Sequence, residues 1–185
     1  MTRPDLHAPM LISLAGLPGV GKTTIARSLA RQLEAVHIRI DSIELAIRES
    51  GVTVVSIDDA GYRVGYAVAE DNLRLGRIVI ADSVNPWPMT RDAWRDVARR
   101  AQVDCLDIEI VCSDRAEHRG RVESRLDKPP ADSGPTWKEV VTRDYRPWDR
   151  EHIVIDTAGV TAERSAAIAH DAIETWRLHR RTTPR

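Results

Sequence analysis

Residues Gly16-Leu17-Pro18-Gly19-Val20-Gly21-Lys22-Thr23 spell G-x-x-x-x-G-K-[ST], a pattern that leaves the chain around it little structural freedom. Glycines at 16, 19 and 21 permit a turn in which successive N–H groups face one anion, and a helix starting there adds the positive end of its dipole. Such a loop requires a strand before it and a helix after it. Both are present: an apolar run, Met10 to Ala15, precedes it and a helix-forming stretch, Thr24 to Glu34, follows. The expectation is a phosphate loop for ATP lined by Gly16, Pro18, Gly19, Val20, Gly21 and Thr24. Lys22 would reach the β- and γ-phosphates, and the Thr23 hydroxyl would ligate Mg2+.

Short apolar runs alternate with helical patterns along the whole chain, the mark of β-α units and a parallel sheet. Strands are expected at 10–15, 36–40, 77–82, 105–112 and 152–156, and helices at 22–34, 42–50, 61–75, 90–101, 114–126, 136–145 and 161–179. Residues 127–136, with three prolines and a glycine, read as a loop. This predicts an α/β fold: a P-loop NTPase three-layer sandwich around a five-stranded parallel sheet. At 185 residues and 42% hydrophobic content, one domain spanning 1–185 fills the chain, with a short helical lid at about 114–136. The charges nearly cancel at a formal −1, so no global basic field argues for nucleic acid. Cys105 and Cys112 lie an odd number of positions apart in one expected strand, which points them to opposite faces as reduced, buried residues. No charged leader with an apolar core opens the chain, and no apolar run approaches the roughly 20 residues of a membrane span. The expectation is a cytoplasmic protein without a membrane partner, monomeric or homodimeric.

A phosphate loop does not by itself separate kinases from switches and motors, so the acids at strand ends matter. Asp41 follows the strand His37-Ile38-Arg39-Ile40, nineteen positions after Lys22. The carboxyl ends of parallel strands face the ligand crevice, so Asp41 stands near the γ-phosphate, where it can orient an acceptor hydroxyl and take its proton. The competing reading makes Asp41 the N-cap of the next helix. Asp82 closes the apolar run Arg77-Ile-Val-Ile-Ala-Asp82 in the manner of a Walker B segment, to hold the magnesium shell, bind acceptor, or simply make a turn. The helix Ser113 to Arg125 carries arginines at 115, 119, 121 and 125, and Arg121 and Arg125 share a face that suits leaving phosphate charge; a salt-bridged solvated helix is the alternative. Asp156 and Thr157 close the last strand and are expected at the adenine end. The acceptor region is expected to draw on Tyr62, Arg63, Tyr66, Asn85, Trp87 and Arg91. In it the aromatics suit a ring, the arginines suit an anionic group, and core packing with surface charge accounts for the same residues equally well.

The succession of the Gly16–Thr24 loop, Arg39-Ile40-Asp41-Ser42-Ile43, Val79-Ile80-Ala81-Asp82-Ser83, the Cys112-Ser-Asp-Arg115 lid start and Val154-Ile155-Asp156-Thr157 resembles the small P-loop kinases. These are the AAA-type kinases grouped with chloramphenicol phosphotransferase, zeta toxins, gluconate kinase and the polynucleotide kinase domain. The resemblance spans nearly the whole chain, and its phosphate loop is the specific part. It implies a nucleoside-monophosphate-kinase-like fold and ATP-dependent O-phosphorylation of a small-molecule hydroxyl acceptor, with Asp41 in the place of the base. A polynucleotide 5′-hydroxyl kinase, running a strand over the arginines of 91–100 and 115–125, is the second reading. A non-catalytic ATP-sensing module is the third.

Overall fold

The structure is a computed structural model that describes residues 8–51, 59–126 and 134–182. In chain order the elements are β1 (Met10–Ala15), α1 (Lys22–Gln32), β2 (Val36–Arg39), α2 (Ile40–Glu49), α3 (Ala60–Arg74), β3 (Val79–Asp82), α4 (Pro88–Arg100), β4 (Asp104–Val111), α5 (Arg115–Leu126), α6 (Trp137–Val141), β5 (Ile153–Asp156) and α7 (Ala162–Thr182). The five strands form one sheet in the order β2-β3-β1-β4-β5, and each neighbouring pair is parallel.

β1 lies at the centre and all six of its residues are buried, as a strand covered on both faces must be. Its alternation divides the core. Met10, Ile12 and Leu14 join Ile25, Leu29, Ile108 and Ile173 on the face that holds α1 and α7; Leu11 joins Ile38, Leu73, Val79, Trp94 and Val97 on the face that holds α3 and α4. Cys105 packs against the second cluster and Cys112 against the first, on opposite faces as expected, although both are half-buried rather than fully buried.

The chain order carries β1 outward to β2, back to β3, and then across β1 to β4. This reversal opens a crevice at the carboxyl ends of β1 and β3, which is where the phosphate loop sits. β2 passes into α2 with no loop between Arg39 and Ile40, so Asp41 lies in the first helical turn. α6 is shorter than expected, ending at Val141, and starts with a capping box between Thr136 and Glu139. Of the expected lid loop, residues 127–133 lie outside the described residues.

Candidate active site

The loop between β1 and α1 adopts the left-handed backbone its glycines permit, with φ of 135° at Gly16, 91° at Gly19 and 102° at Gly21. Gly16 is also a point of close approach: a Cβ there would stand 2.2 Å from the Ile110 carbonyl oxygen of β4. Its N–H donates to the Val84 carbonyl (3.1 Å), which ties the loop to the turn after β3. Val20 is buried, and its carbonyl accepts from the Thr157 hydroxyl at 2.9 Å. Gly16 and Val20 therefore shape the loop, while Pro18, Gly19, Gly21, Lys22, Thr23 and Thr24 line the cavity in front of it.

Lys22 folds back over this loop, its Nζ donating to the carbonyls of Gly16 (2.7 Å) and Leu17 (3.0 Å). Burial lowers its ammonium pKa from 10.5 to about 8; Asp82 and Asp41 pull the other way, and Arg125 and Arg143 add to the lowering. One lysine thus feels two carboxylates and two guanidiniums. Asp82, at the end of β3, is 3% exposed. Burial alone would raise its carboxyl, but a hydrogen bond to His37, the charge of Lys22 and the Thr23 hydroxyl outweigh that and hold it below the usual carboxylate range. The His37 Nε2 lies 3.2 Å from Asp82 Oδ2. A buried ionised carboxylate beside a threonine hydroxyl is an oxygen donor set that fits a hard divalent cation.

The cavity has a volume of about 810 Å³ and runs from the phosphate loop to a far wall made by α2, Tyr62 and the turn Ser83 to Trp87. Asp41 lines it but does not cap its helix: Arg39 occupies the N-cap position, and Asp41 instead pairs with the Arg39 guanidinium at 3.1 Å. Glu44, one turn on, lines the same wall and pairs with Arg48. Trp87 lines it too, with its Nε1–H donated to Asp144 at 3.1 Å.

The two lid arginines separate. Arg121 donates to the Thr157 hydroxyl (2.8 Å) and carbonyl (2.9 Å) and to Glu117 (2.6 Å), which latches α5 to the end of β5. It lines a second cavity, of about 340 Å³, behind the phosphate loop with Thr157, Val160 and Ser165. Arg125 lines both cavities. Arg143, just past α6, lines the larger one and is a residue the sequence reading missed. Among the described residues neither the Arg125 nor the Arg143 side chain has a hydrogen-bond or ion-pair partner. Glu44 and His37 were also missed. Glu44 stands three residues after Asp41 and so shares its helix face, a signal present in the sequence; Arg143 offers none.

Five expected acceptor or nucleotide residues lie elsewhere. Asn85 is fully buried, with φ of 52° and its side-chain amide donating to the Ser13 hydroxyl at 3.1 Å. Arg91 is also fully buried; its guanidinium donates to the carbonyls of Asn85, Pro86, Arg146 and Pro147 and lies 4.1 Å from the Trp148 ring centroid. Arg63 points outward and pairs with Asp59. Tyr66 packs edge-on against Trp94 in the core, ring centroids 4.6 Å apart. Tyr62 keeps its place in the cavity wall, its hydroxyl accepting from the Asn85 N–H. Asp156 accepts from the N–H groups of Ser113 and Ala158 and organises the loop, whereas Thr157 alone reaches the second cavity.

Known proteins are similar to this chain in sequence and in fold. The profile of the AAA domain family matches residues 11–142. The protein named "Probable adenylyl-sulfate kinase" from Aeropyrum pernix is 26% identical over 180 residues, covering 89% of this chain and 92% of its own. Kti12 of Chaetomium thermophilum, solved in complex with ADP-AlF3, superposes with a TM-score of 0.67 at 25% identity, over 89% of this chain and 97% of that one. A gluconokinase from Sinorhizobium meliloti superposes with a TM-score of 0.62 at 18% identity, over 95% of this chain and 98% of that one, a likeness of fold. The glycine loop, the strand order and the matched span lead to one conclusion: the chain belongs to the AAA domain family and is built as a small P-loop kinase.

Proposed function

We propose that this protein is an ATP-dependent phosphotransferase that moves the γ-phosphoryl group to a hydroxyl of a small molecule, working as one domain with α5 as its lid. The observation that carries this reading is that Asp41 and Lys22 line one cavity closely enough for the aspartate to act on the lysine's charge. The relatives named for adenylyl sulfate and gluconate add that this fold serves small acceptors. The one solved with ADP-AlF3 adds a bound nucleotide.

In this mechanism the loop amides and Lys22 hold the β- and γ-phosphates, and the acceptor hydroxyl lies between the γ-phosphorus and Asp41. Thr23 and Asp82 would hold Mg2+, which supplies charge neutralisation on the phosphates. Asp41 orients the hydroxyl and takes its proton as the new O–P bond forms and the bridging oxygen leaves with ADP. Arg125 and Arg143, two of the cavity-lining cations without a partner, meet the charge on the transferred group; Arg121 instead holds the lid to Thr157.

The nucleic-acid reading needs a basic track, and most of the arginines that would form it are engaged, leaving Arg115 over the Trp137 ring and Arg125 in the cavity. Arg95 pairs with Asp107, Arg99 with Asp96, Arg100 with Glu70, Arg119 with Glu123 and Arg121 with Glu117, while Arg91 is buried. A sensing module gives no reason for a cavity-facing Asp41 that caps nothing. No helix among the described residues is long and apolar enough to cross a membrane. The test is Asp41→Asn with a mass readout of phosphorylated product. ATP affinity stays within a few-fold while turnover falls on the order of 10²-fold or more; preserved turnover would remove Asp41 from the chemistry.

A further inference from the structure

The phosphate loop and the lid helix meet at a buried histidine. His118, on α5, is 6% exposed, and its Nε2 lies 2.8 Å from the Pro18 carbonyl oxygen. A carbonyl can only accept, so this ring nitrogen carries the proton and donates it. Trp137 of α6 holds the ring from another side, edge-on with centroids 5.1 Å apart, and Arg115 lies over that indole at 5.8 Å. Val122, one turn further along α5, completes the contact. A Cβ on Gly19 would come 2.5 Å from Val122 Cγ2 and 3.2 Å from His118 Cδ2, so α5 lies this close only because residue 19 is glycine.

That glycine leaves the loop with a freedom that His118 removes. With φ of 91° and no Cβ, Gly19 tolerates either orientation of the peptide joining it to Pro18. The two carbonyls before it, of Gly16 and Leu17, accept from Lys22, which is the cation that turns to the phosphates when nucleotide enters. The Pro18 carbonyl goes to α5 instead, and its bond does not depend on Lys22. A trans peptide sets its C=O and N–H on opposite sides, so holding the Pro18 oxygen against α5 turns the Gly19 N–H away from α5. Among the described residues that N–H has no hydrogen-bond partner, and Gly19 lines both cavities.

Resting on the phosphotransferase reading, we infer that His118 is a positioning residue for phosphate transfer: it fixes the Pro18–Gly19 peptide so that the Gly19 N–H donates to the bound triphosphate. The loop supplies this donor and the seated lid aims it. As the β–γ bond breaks, charge builds on phosphate oxygens, and an N–H already aimed at them stabilises it without reorganising. Without His118 the peptide samples both orientations. The cost then falls on the transfer step more than on ATP binding, which Lys22 and the remaining loop amides still support. His118 itself touches neither ATP nor acceptor and exchanges no proton.

The test compares His118→Leu and His118→Gln with the wild type in transfer from ATP with Mg2+ to a pool of hydroxylated metabolites. Phosphorylated product is read by mass over a range of ATP concentrations, and thermal unfolding checks that each variant is folded. Gln carries an amide N–H close to the position of the imidazole Nε2–H, whereas Leu fills the space with no donor. His118→Asn, whose shorter amide falls short of Pro18, is the second variant without the bond should Leu unfold the chain. Loss of the bond is expected to lower kcat on the order of 10²-fold, the scale of one removed donor, with the ATP KM within a few-fold, and His118→Gln to regain most of the rate. A folded Leu or Asn variant with wild-type kcat, a loss confined to KM, or a Gln variant as slow as Leu overturns the inference and leaves phosphotransfer standing. Wild-type protein that binds ATP and phosphorylates nothing in the pool overturns the phosphotransfer reading, and the inference with it.

Discussion

Lys22 is the residue whose chemistry can be read most directly in solution. Burial favours its neutral form, so the folded protein gives up this proton near pH 8 while the unfolded chain keeps it to about 10.5. Across that window the unfolded state binds more protons, so the stability of the nucleotide-free protein rises with pH. Nucleotide phosphates reverse the preference, because they attract only the ammonium. Affinity for ATP therefore weakens as pH climbs past about 8, by roughly twentyfold between pH 7.5 and 9.5, the scale that follows when only the protonated form of a group with a pKa of about 8 binds. Calorimetric titration at both pH values checks this, with Lys22→Met expected to bind weakly and without pH dependence; an affinity unchanged with pH would mean the phosphates do not meet Lys22. The place of Lys22 in the cavity was legible because it follows from an eight-residue local pattern. The engagement of Arg121 was not, because Arg121 and Arg125 share one helix face while the Thr157 that claims Arg121 lies 36 positions away.

At the scale of elements, α4 shows how a helix can contribute to a site without touching ligand. Its buried face runs through Arg91, Trp94 and Ala98, at helical spacing, and so carries a cation inward. That cation ties the turn bearing Pro86 and Trp87 to the segment 146–147 beyond Arg143, a link reinforced by the Arg146 N–H donating to the Pro86 carbonyl at 2.8 Å. Arg91→Met keeps length and apolar stem but strands four carbonyls. It is expected to cost about 3 kcal/mol, the scale of removing a partner from a buried charged network, and to lower kcat by loosening Arg143. Urea unfolding and single-turnover kinetics measure the two effects, and wild-type stability in the variant would refute the strap. α2 makes the complementary point: the acids Asp41 and Glu44 are aimed by a helix that begins on the residue after the last of its strand, with no linker to blur their direction.

The molecule as a whole is a sheet whose strand order opens a crevice, with the phosphate loop, the Asp82 shell and the α2 wall brought to it from three separate strand ends. Ligand binding to that crevice stabilises the fold by mass action: at 100 times its Kd, ATP with Mg2+ adds about 2.7 kcal/mol. For a chain of this size that corresponds to roughly 5–10 °C in Tm. Thermal unfolding with and without ATP tests it, and the shift should vanish in Lys22→Met; no shift in the wild type at saturating ATP would sink the nucleotide site. The sequence by itself determined the α/β alternation, the strand positions within two residues at their ends, the loop, and the acids Asp41 and Asp82, because periodicity and short motifs are local properties of the chain. Only the tertiary structure decided which cations face the cavity. Asn85 and Arg91 turn inward because the carbonyls and hydroxyl that satisfy them come from Ser13 and residues 146–147, segments more than fifty positions away, and no local pattern records where a distant backbone will run.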